Sequence, residues 1–294
     1  MLFETTFPFR GARMILVLGA TGTTGGEVAR QLIAAGHRPR LLVRTPAKAA
    51  AFQSSADVVQ GDLDNPESLR AAMAGVDRLY LAASGVNGQA LEVSAIDAAK
   101  ATGVTHVVKL SVITADNPGI TFARWHAQAE QHLIASGLAW TMLRPTNFMT
   151  NALGWADTIK SQHAFYQPTG DGEWASIDPV DIGAVAVKAL TETGHEGKGY
   201  TLTGPESLNA AGYAAILSKV LGHTVSFVDV PATAAQDGML KSGMPAAYVD
   251  ALLDLLSAMK SGATAGTTDV VEQVLGRKPG TFENWVTRNI QAFR

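Results

Sequence analysis

The run Met14-Ile-Leu-Val-Leu-Gly19-Ala-Thr-Gly22-Thr-Thr-Gly25 leaves this chain few folds to adopt. Residues 14–18 are an unbroken apolar stretch of strand length. Val28, Ala29, Leu32 and Ile33 then share one face of a helix that Gly36 stops. Between them, glycines at GxxGxxG spacing allow a tight turn, a close backbone approach to a pyrophosphate, and close packing of helix on strand. The first N–H groups of such a helix have no partner within it and point at the anion. Lodged between a buried strand and an amphipathic helix, the glycines read as a phosphate loop rather than an ordinary turn.

The alternation continues. Residues 38–44 form a second apolar strand ending in Arg44, with Lys48 behind it. In a dinucleotide fold an acidic residue at this place binds ribose hydroxyls, whereas a basic one accommodates a 2′-phosphate. Arg44 and Lys48 therefore favour NADP(H) over NAD(H), unless Arg44 is only a solvated charge. A third strand over 57–62 precedes Asn65-Pro66, an N-cap with proline at the first helical position. Strands over 78–83, 106–113 and 140–145 alternate with helices over 87–102 and 121–136. Such alternation builds an α/β, Rossmann-like, doubly wound parallel sheet, whose ligands bind outside the carboxyl ends of the strands. Asp62, Ala82, Ala83 and Ser84 then share a rim with the glycine loop, although Asp62 could instead cap the next helix.

Beyond residue 151 the pattern loosens into a smaller mixed α/β lobe. A helix is expected over 179–190, entered through Asp178-Pro179, and a short strand over 199–204. Helical patterns over 211–221 and 247–259, with a strand-like run over 225–230 between them, finish the lobe. The expected organisation is an N-terminal extension (1–13), a nucleotide-binding domain (14–150) and a substrate-binding lobe (151–294) interwoven with it.

Composition excludes much. A formal charge of −3 without a local Lys/Arg cluster gives no footprint for nucleic acid. With no cysteine there is no disulfide, thiol nucleophile or thiolate metal site. No run reaches membrane-spanning length and residues 1–13 lack a signal-peptide layout, so a cytoplasmic monomer or homodimer is expected. There is no GxSxG elbow and no HExxH, and His126 with Glu130 offers only two potential ligands, so no metal is expected.

GATGTTG after the first strand, Val43-Arg44, Gly61-Asp62 and ASGLAWTMLRPTNFM over 135–149 resemble the NmrA-like, atypical short-chain dehydrogenase/reductase family. Within it the chain looks similar to the bacterial NAD(P)H:quinone reductase, azoreductase and triphenylmethane reductase group. The resemblance implies that Gly19, Thr21, Gly22, Thr23, Thr24 and Gly25 hold the pyrophosphate and Arg44 the 2′-phosphate. Asp62 and Leu63 would hold the adenine, and Ala82, Ala83 and Ser84 would border ribose and nicotinamide. Pro145, Asn147 and Phe148 would close the nicotinamide pocket.

One departure is informative. Relatives with the usual catalytic pattern carry Tyr-xxx-Lys on the helix after the fifth strand. Taking Glu130 as the register, the run Phe122-Ala-Arg-Trp-His126-Ala-Gln-Ala-Glu130 puts Phe122 in the tyrosine place and His126 in the lysine place. Reducing an ordinary ketone leaves an alkoxide that needs a positioned acid, so losing the tyrosine costs about a hundredfold or more. A quinone, azo compound or arylmethane dye spreads or cancels the charge it receives. The expected activity is thus NADPH-dependent hydride transfer to a small, planar, conjugated acceptor. The rival is a redox sensor of NmrA type that binds the nucleotide without turnover. Phe122, Met149, Trp155, Phe165, Tyr166 and Trp174 are candidates for the acceptor slot, or else core. His126, titrating near neutrality and oriented by Glu130 one turn away, is the candidate proton donor, unless the two merely pair on a solvated face. Ser111 matches the place of the family's serine, where it would bond the acceptor oxygen or only local backbone.

Overall fold

The computed structural model describes residues 13–83, 85–117 and 119–294. The expected N-terminal extension, apart from Arg13, and Ser84 lie outside the described residues. β1 (Ile15–Val17), fully buried, leads through the glycine loop into α1 (Thr23–Ala34). β2 (Arg40–Val43), a 3-10 turn (Pro46–Phe52) and β3 (Asp57–Gln60) follow. α2 (Pro66–Met73) starts as expected: the Asn65 side chain accepts from the N–H groups of Glu67 and Ser68. β4 (Arg78–Leu81), α3 (Gly88–Thr102), β5 (His106–Leu110), α4 (Thr121–Ser136) and β6 (Ala139–Pro145) complete the regular alternation. Gly103 and Gly137, both left-handed, end α3 and α4.

The later half contains α5 (Ala156–Gln162), β7 (Ala164–Gln167), β8 (Glu173–Trp174), α6 (Pro179–Thr191) and β9 (Lys198–Leu202). β10 (Leu208–Asn209), α7 (Ala210–Leu221), β11 (Ser226–Asp229), α8 (Ala232–Lys241), α9 (Ala246–Lys260), α10 (Val270–Leu275) and α11 (Phe282–Arg288) end the chain. The main sheet has seven strands in the order β3-β2-β1-β4-β5-β6-β9, and every pair in it is parallel. The strand order reverses beside β1, so the crevice for a ligand opens where the β1 and β4 loops part.

β9 and α6, which fall beyond residue 151, pack with elements before it: β9 pairs with β6, and Ile182, Val185 and Ala186 of α6 share a core with Val28, Ala29 and Leu32 of α1. One finding differs from the sequence expectation: α8, α10 and α11 are helices where no element was expected. α10 and α11 are too short to show a helical period, and α8 buries none of its residues, so none offers a clear apolar stripe.

Candidate active site

The glycine loop is shaped by contacts that a side chain would prevent. Gly19 has φ +72°, and a Cβ there would lie 2.8 Å from the Ala82 carbonyl oxygen at the end of β4. A Cβ on Gly25 would run into Gly19, within 2.5 Å of its carbonyl carbon. Gly22 caps α1 in an extended conformation and has no side chain to accept its N–H groups, and no acidic residue sits in the first turn. Thr21, Gly22 and Thr23 are exposed while Thr24 and Gly25 are buried, so the loop presents free N–H groups at a positive helix end. A diphosphate fits this cradle.

Around β2 the cations divide in two. Arg40 Nε bonds Asp57 at 2.7 Å and Arg38 bonds the Ser54 and Ala56 carbonyls, so both hold the sheet edge together. Arg44 and Lys48 are exposed, and neither side chain is paired among the described residues. Asp62 does not cap α2, which Asn65 does; its carboxylate accepts only the Asp64 N–H, at 3.2 Å, and it stands exposed on the rim beside half-buried Leu63. Ala82 and Ala83 are half-buried on the same rim.

Next to Ala83 lies a cavity of about 270 Å³. Ser111, Phe122, His126, Pro145, Asn147 and Phe148 all line it, so residues from α4 and from the carboxyl ends of β5 and β6 converge there. The expected aromatic wall is otherwise different. Met149, Phe165 and Trp174 are buried in the core of the second lobe, and Trp174 stacks on Tyr213 at 4.9 Å. Trp155 and Tyr166 line a neighbouring cavity. The wall comes instead from Trp125 and from Tyr248 on α9, each 5.3 Å from Phe122 in an edge-on contact. Residue types at 155, 165 and 174 suit a slot and a core equally, and only the tertiary packing decides between them.

The polar side of the cavity was also missed in part. Lys109, on β5, is fully buried, and its three ammonium hydrogens are taken up: by Glu92 Oε2 at 2.9 Å, the Leu110 carbonyl at 2.8 Å and His126 Nδ1 at 3.2 Å. Glu92, on α3, is 2% exposed; burial raises its carboxyl pKa, and the Lys109 ammonium opposes that rise. His126 is pushed down to about 3, by burial first and by the positive Lys109 second. The ring is therefore neutral at pH 7. Because Nδ1 accepts from an ammonium, the remaining proton sits on Nε2.

This corrects the expected acid. Glu130 does not orient His126: Arg144 holds it bidentately, Nε at 3.0 Å from Oε1, with Nη2 on Oε2. An i,i+4 spacing permits the His/Glu contact, but the longer reach of Arg144 from β6 takes the carboxylate first. The detectable signal for the true partner was Lys109 itself, a lone lysine between Val107, Val108 and Leu110 in a buried strand. Buried polar atoms without a partner also sit on three cavity-lining residues: Ser111 Oγ, Glu92 Oε1 and Thr264 Oγ1. Among the described residues no group of three or more His, Asp or Glu could hold a metal ion, and no helix is long and apolar enough to cross a membrane.

Comparison with known proteins agrees with this geometry. A family model described as NAD(P)H-binding matches residues 19–193. The chain is 39% identical to the NAD(P)H azoreductase of Xenophilus azovorans, over 95% of this chain and 99% of that one. It is 37% identical to the (4-alkanoyl-5-oxo-2,5-dihydrofuran-3-yl)methyl phosphate reductase of Streptomyces griseus subsp. griseus, again over 95% and 99%. The NADPH complex of the Escherichia coli quinone oxidoreductase QOR2 superposes with a TM-score of 0.87 at 29% identity, covering 94% of this chain and all of that one.

Proposed function

Since the chain belongs to the NAD(P)H-binding family, we propose that it is an NADPH-dependent oxidoreductase that passes hydride to a planar conjugated acceptor such as a quinone or an azo compound. The observation that carries this reading is the neutral His126 at the aromatic cavity, its Nδ1 bound by buried Lys109. Bound NADPH supplies the hydride. Backbone N–H groups of residues 23–25 hold its diphosphate, and unpaired Arg44, with Lys48, takes the 2′-phosphate. Phe122, Trp125 and Phe148 hold the acceptor ring flat and exclude water, so that alignment rather than acid strength lowers the barrier.

His126 donates its Nε2–H to the acceptor atom on which negative charge grows, as a fixed dipole and not as a titrating acid. His126→Phe is expected to lower kcat about a hundredfold with KM little changed, by analogy with loss of one oxyanion donor. The same reading fixes the pH profile. With His126 held near 3, its charge does not change between pH 5 and 8, and kcat/KM for benzoquinone stays flat there. A fall in rate through about pH 6.5 as pH rises would instead reveal an imidazolium acid.

Arg44→Asp tests the nucleotide preference. A charge-assisted bond to phosphate contributes about 1.5–3 kcal/mol, so the ratio of NADPH to NADH affinity should drop about tenfold to a hundredfold. An unchanged ratio places the 2′-phosphate elsewhere. The decisive experiment for the whole reading is NADPH oxidation, followed at the nicotinamide absorbance, with benzoquinone and azo dyes. Tight NADPH binding without turnover of any acceptor would reject it in favour of a nucleotide-sensing role.

A further inference from the structure

The aromatic cavity does not end at the ring slot. Asn147, Asn151, Tyr248, Leu255 and Met259 line it and also line a second cavity of about 660 Å³. The rest of that second wall includes Trp155, Tyr166, Ala235, Met239 and Leu252, and no Asp, Glu, Lys, Arg or His is among its lining residues. Its floor is set by Trp155, which stacks on buried Phe165 at 4.1 Å. Its roof is α8, a helix that buries none of its own residues. Tyr166 and Met244 on this wall remain about 40% exposed, so apolar surface is left in water along it.

Volume adds a constraint. Sites for drug-sized molecules occupy about 300–1,000 Å³, and the first cavity, at about 270 Å³, must receive a nicotinamide ring as well as the acceptor ring. An acceptor larger than one ring has to continue past Tyr248 and Met259.

We propose that the second cavity is a distal subsite for the acceptor and takes an uncharged apolar extension, an alkyl chain or a second aryl ring, attached to the reducible ring. This rests on the reading of the first cavity as the acceptor site. The subsite selects elongated apolar acceptors over bare quinones, and does so through binding rather than through the hydride step.

The test compares benzoquinone with the same quinone carrying a decyl chain, in the wild-type protein and in Ala235→Trp, which fills the distal cavity without touching the first. Ala234→Trp, on the same wall, serves if that variant does not fold. The decyl chain should raise wild-type kcat/KM at least tenfold, mainly through KM. A tenfold gain is about 1.4 kcal/mol, less than two buried methylenes provide at roughly 0.8 kcal/mol each. Ala235→Trp should abolish that gain and leave benzoquinone turnover as it was. No chain preference in the wild type, or equal slowing of both acceptors by the variant, overturns the subsite. If no acceptor is reduced at all, the enzymatic reading fails separately, and calorimetric titration with the decyl quinone decides the subsite. Saturable binding of the decyl quinone that Ala235→Trp removes upholds it, and absence of binding overturns it.

Discussion

Gly25→Ala is expected to lower NADPH affinity about a hundredfold or more, roughly 2.8 kcal/mol, as measured by calorimetry on protein that is still folded. One methyl group has this effect because of what it meets. The added Cβ would fall on the backbone of Gly19, 2.5 Å from its carbonyl carbon and 3.0 Å from the Ala20 nitrogen. A flexible side chain would swing away; a peptide group at the end of β1 cannot. The loop must move outward, which costs about 1–3 kcal/mol of overpacking and pulls the N–H groups of α1 off the diphosphate. Gly36→Ala is the control. Gly36 has φ +84° with nothing near its missing Cβ, so the change strains the backbone far from the loop. It should reduce stability by about 1 kcal/mol and leave NADPH affinity unaltered. Equal affinities for the Gly25 and Gly36 variants would mean that the loop does not hold the nucleotide.

The second large effect is expected from Lys109→Met. Removing the ammonium leaves Glu92 buried with no counter-ion, and breaking a buried pair from one side costs about 3–5 kcal/mol. Urea unfolding at pH 7 measures this directly. The loss depends on pH in a defined direction. Burial already raises the Glu92 carboxyl, and the variant lacks the charge that opposes the rise. A carboxyl that titrates higher in the folded chain than in the unfolded one favours folding below its unfolded value of about 4.3 and stops doing so as pH climbs through its folded value. The destabilisation should therefore be small near pH 4 and grow as pH rises from there towards 7. Replacing both partners, Glu92→Leu with Lys109→Met, removes the uncompensated charge and should restore most of the stability. The rate should not return with it, because Nδ1 of His126 then lacks the donor that keeps the proton on Nε2. Recovery of rate along with stability would show that Lys109 only supports the fold.

Much of the scaffold was legible because its signals are local. Asn65 forms the expected side-chain cap, and Asp178, where the helix entered through Asp178-Pro179 begins, caps its helix too. The glycine ends of α3, α4 and α7 sit where the periodicity stops. The phosphate loop needs no distant residue beyond Ala82 to acquire its shape. The cavity was half legible. Ser111, Pro145, Asn147 and Phe148 lie at strand ends, where the parallel sheet delivers them to one rim, and His126 and Phe122 follow from the register of α4. The distribution of aromatic residues between slot and core was not legible. Phe165 and Trp174 are interior because β7 pairs with β11 and β8 with β10, pairings that no short-range pattern announces.

The sequence by itself determined the nucleotide-binding fold and the shape of the glycine loop. Each of these depends on spacing within a few residues, where a φ above zero, a missing Cβ or a 3.6-residue period acts without help from the rest of the chain. Only the tertiary structure decided what His126 is. Its neighbour on the helix, Glu130, is drawn off by Arg144 from β6. Its partner is Lys109 from β5, itself bound to Glu92 from α3. Three elements that meet only when the sheet is assembled bring these charges together away from water, where burial and an adjacent ammonium keep the imidazole neutral.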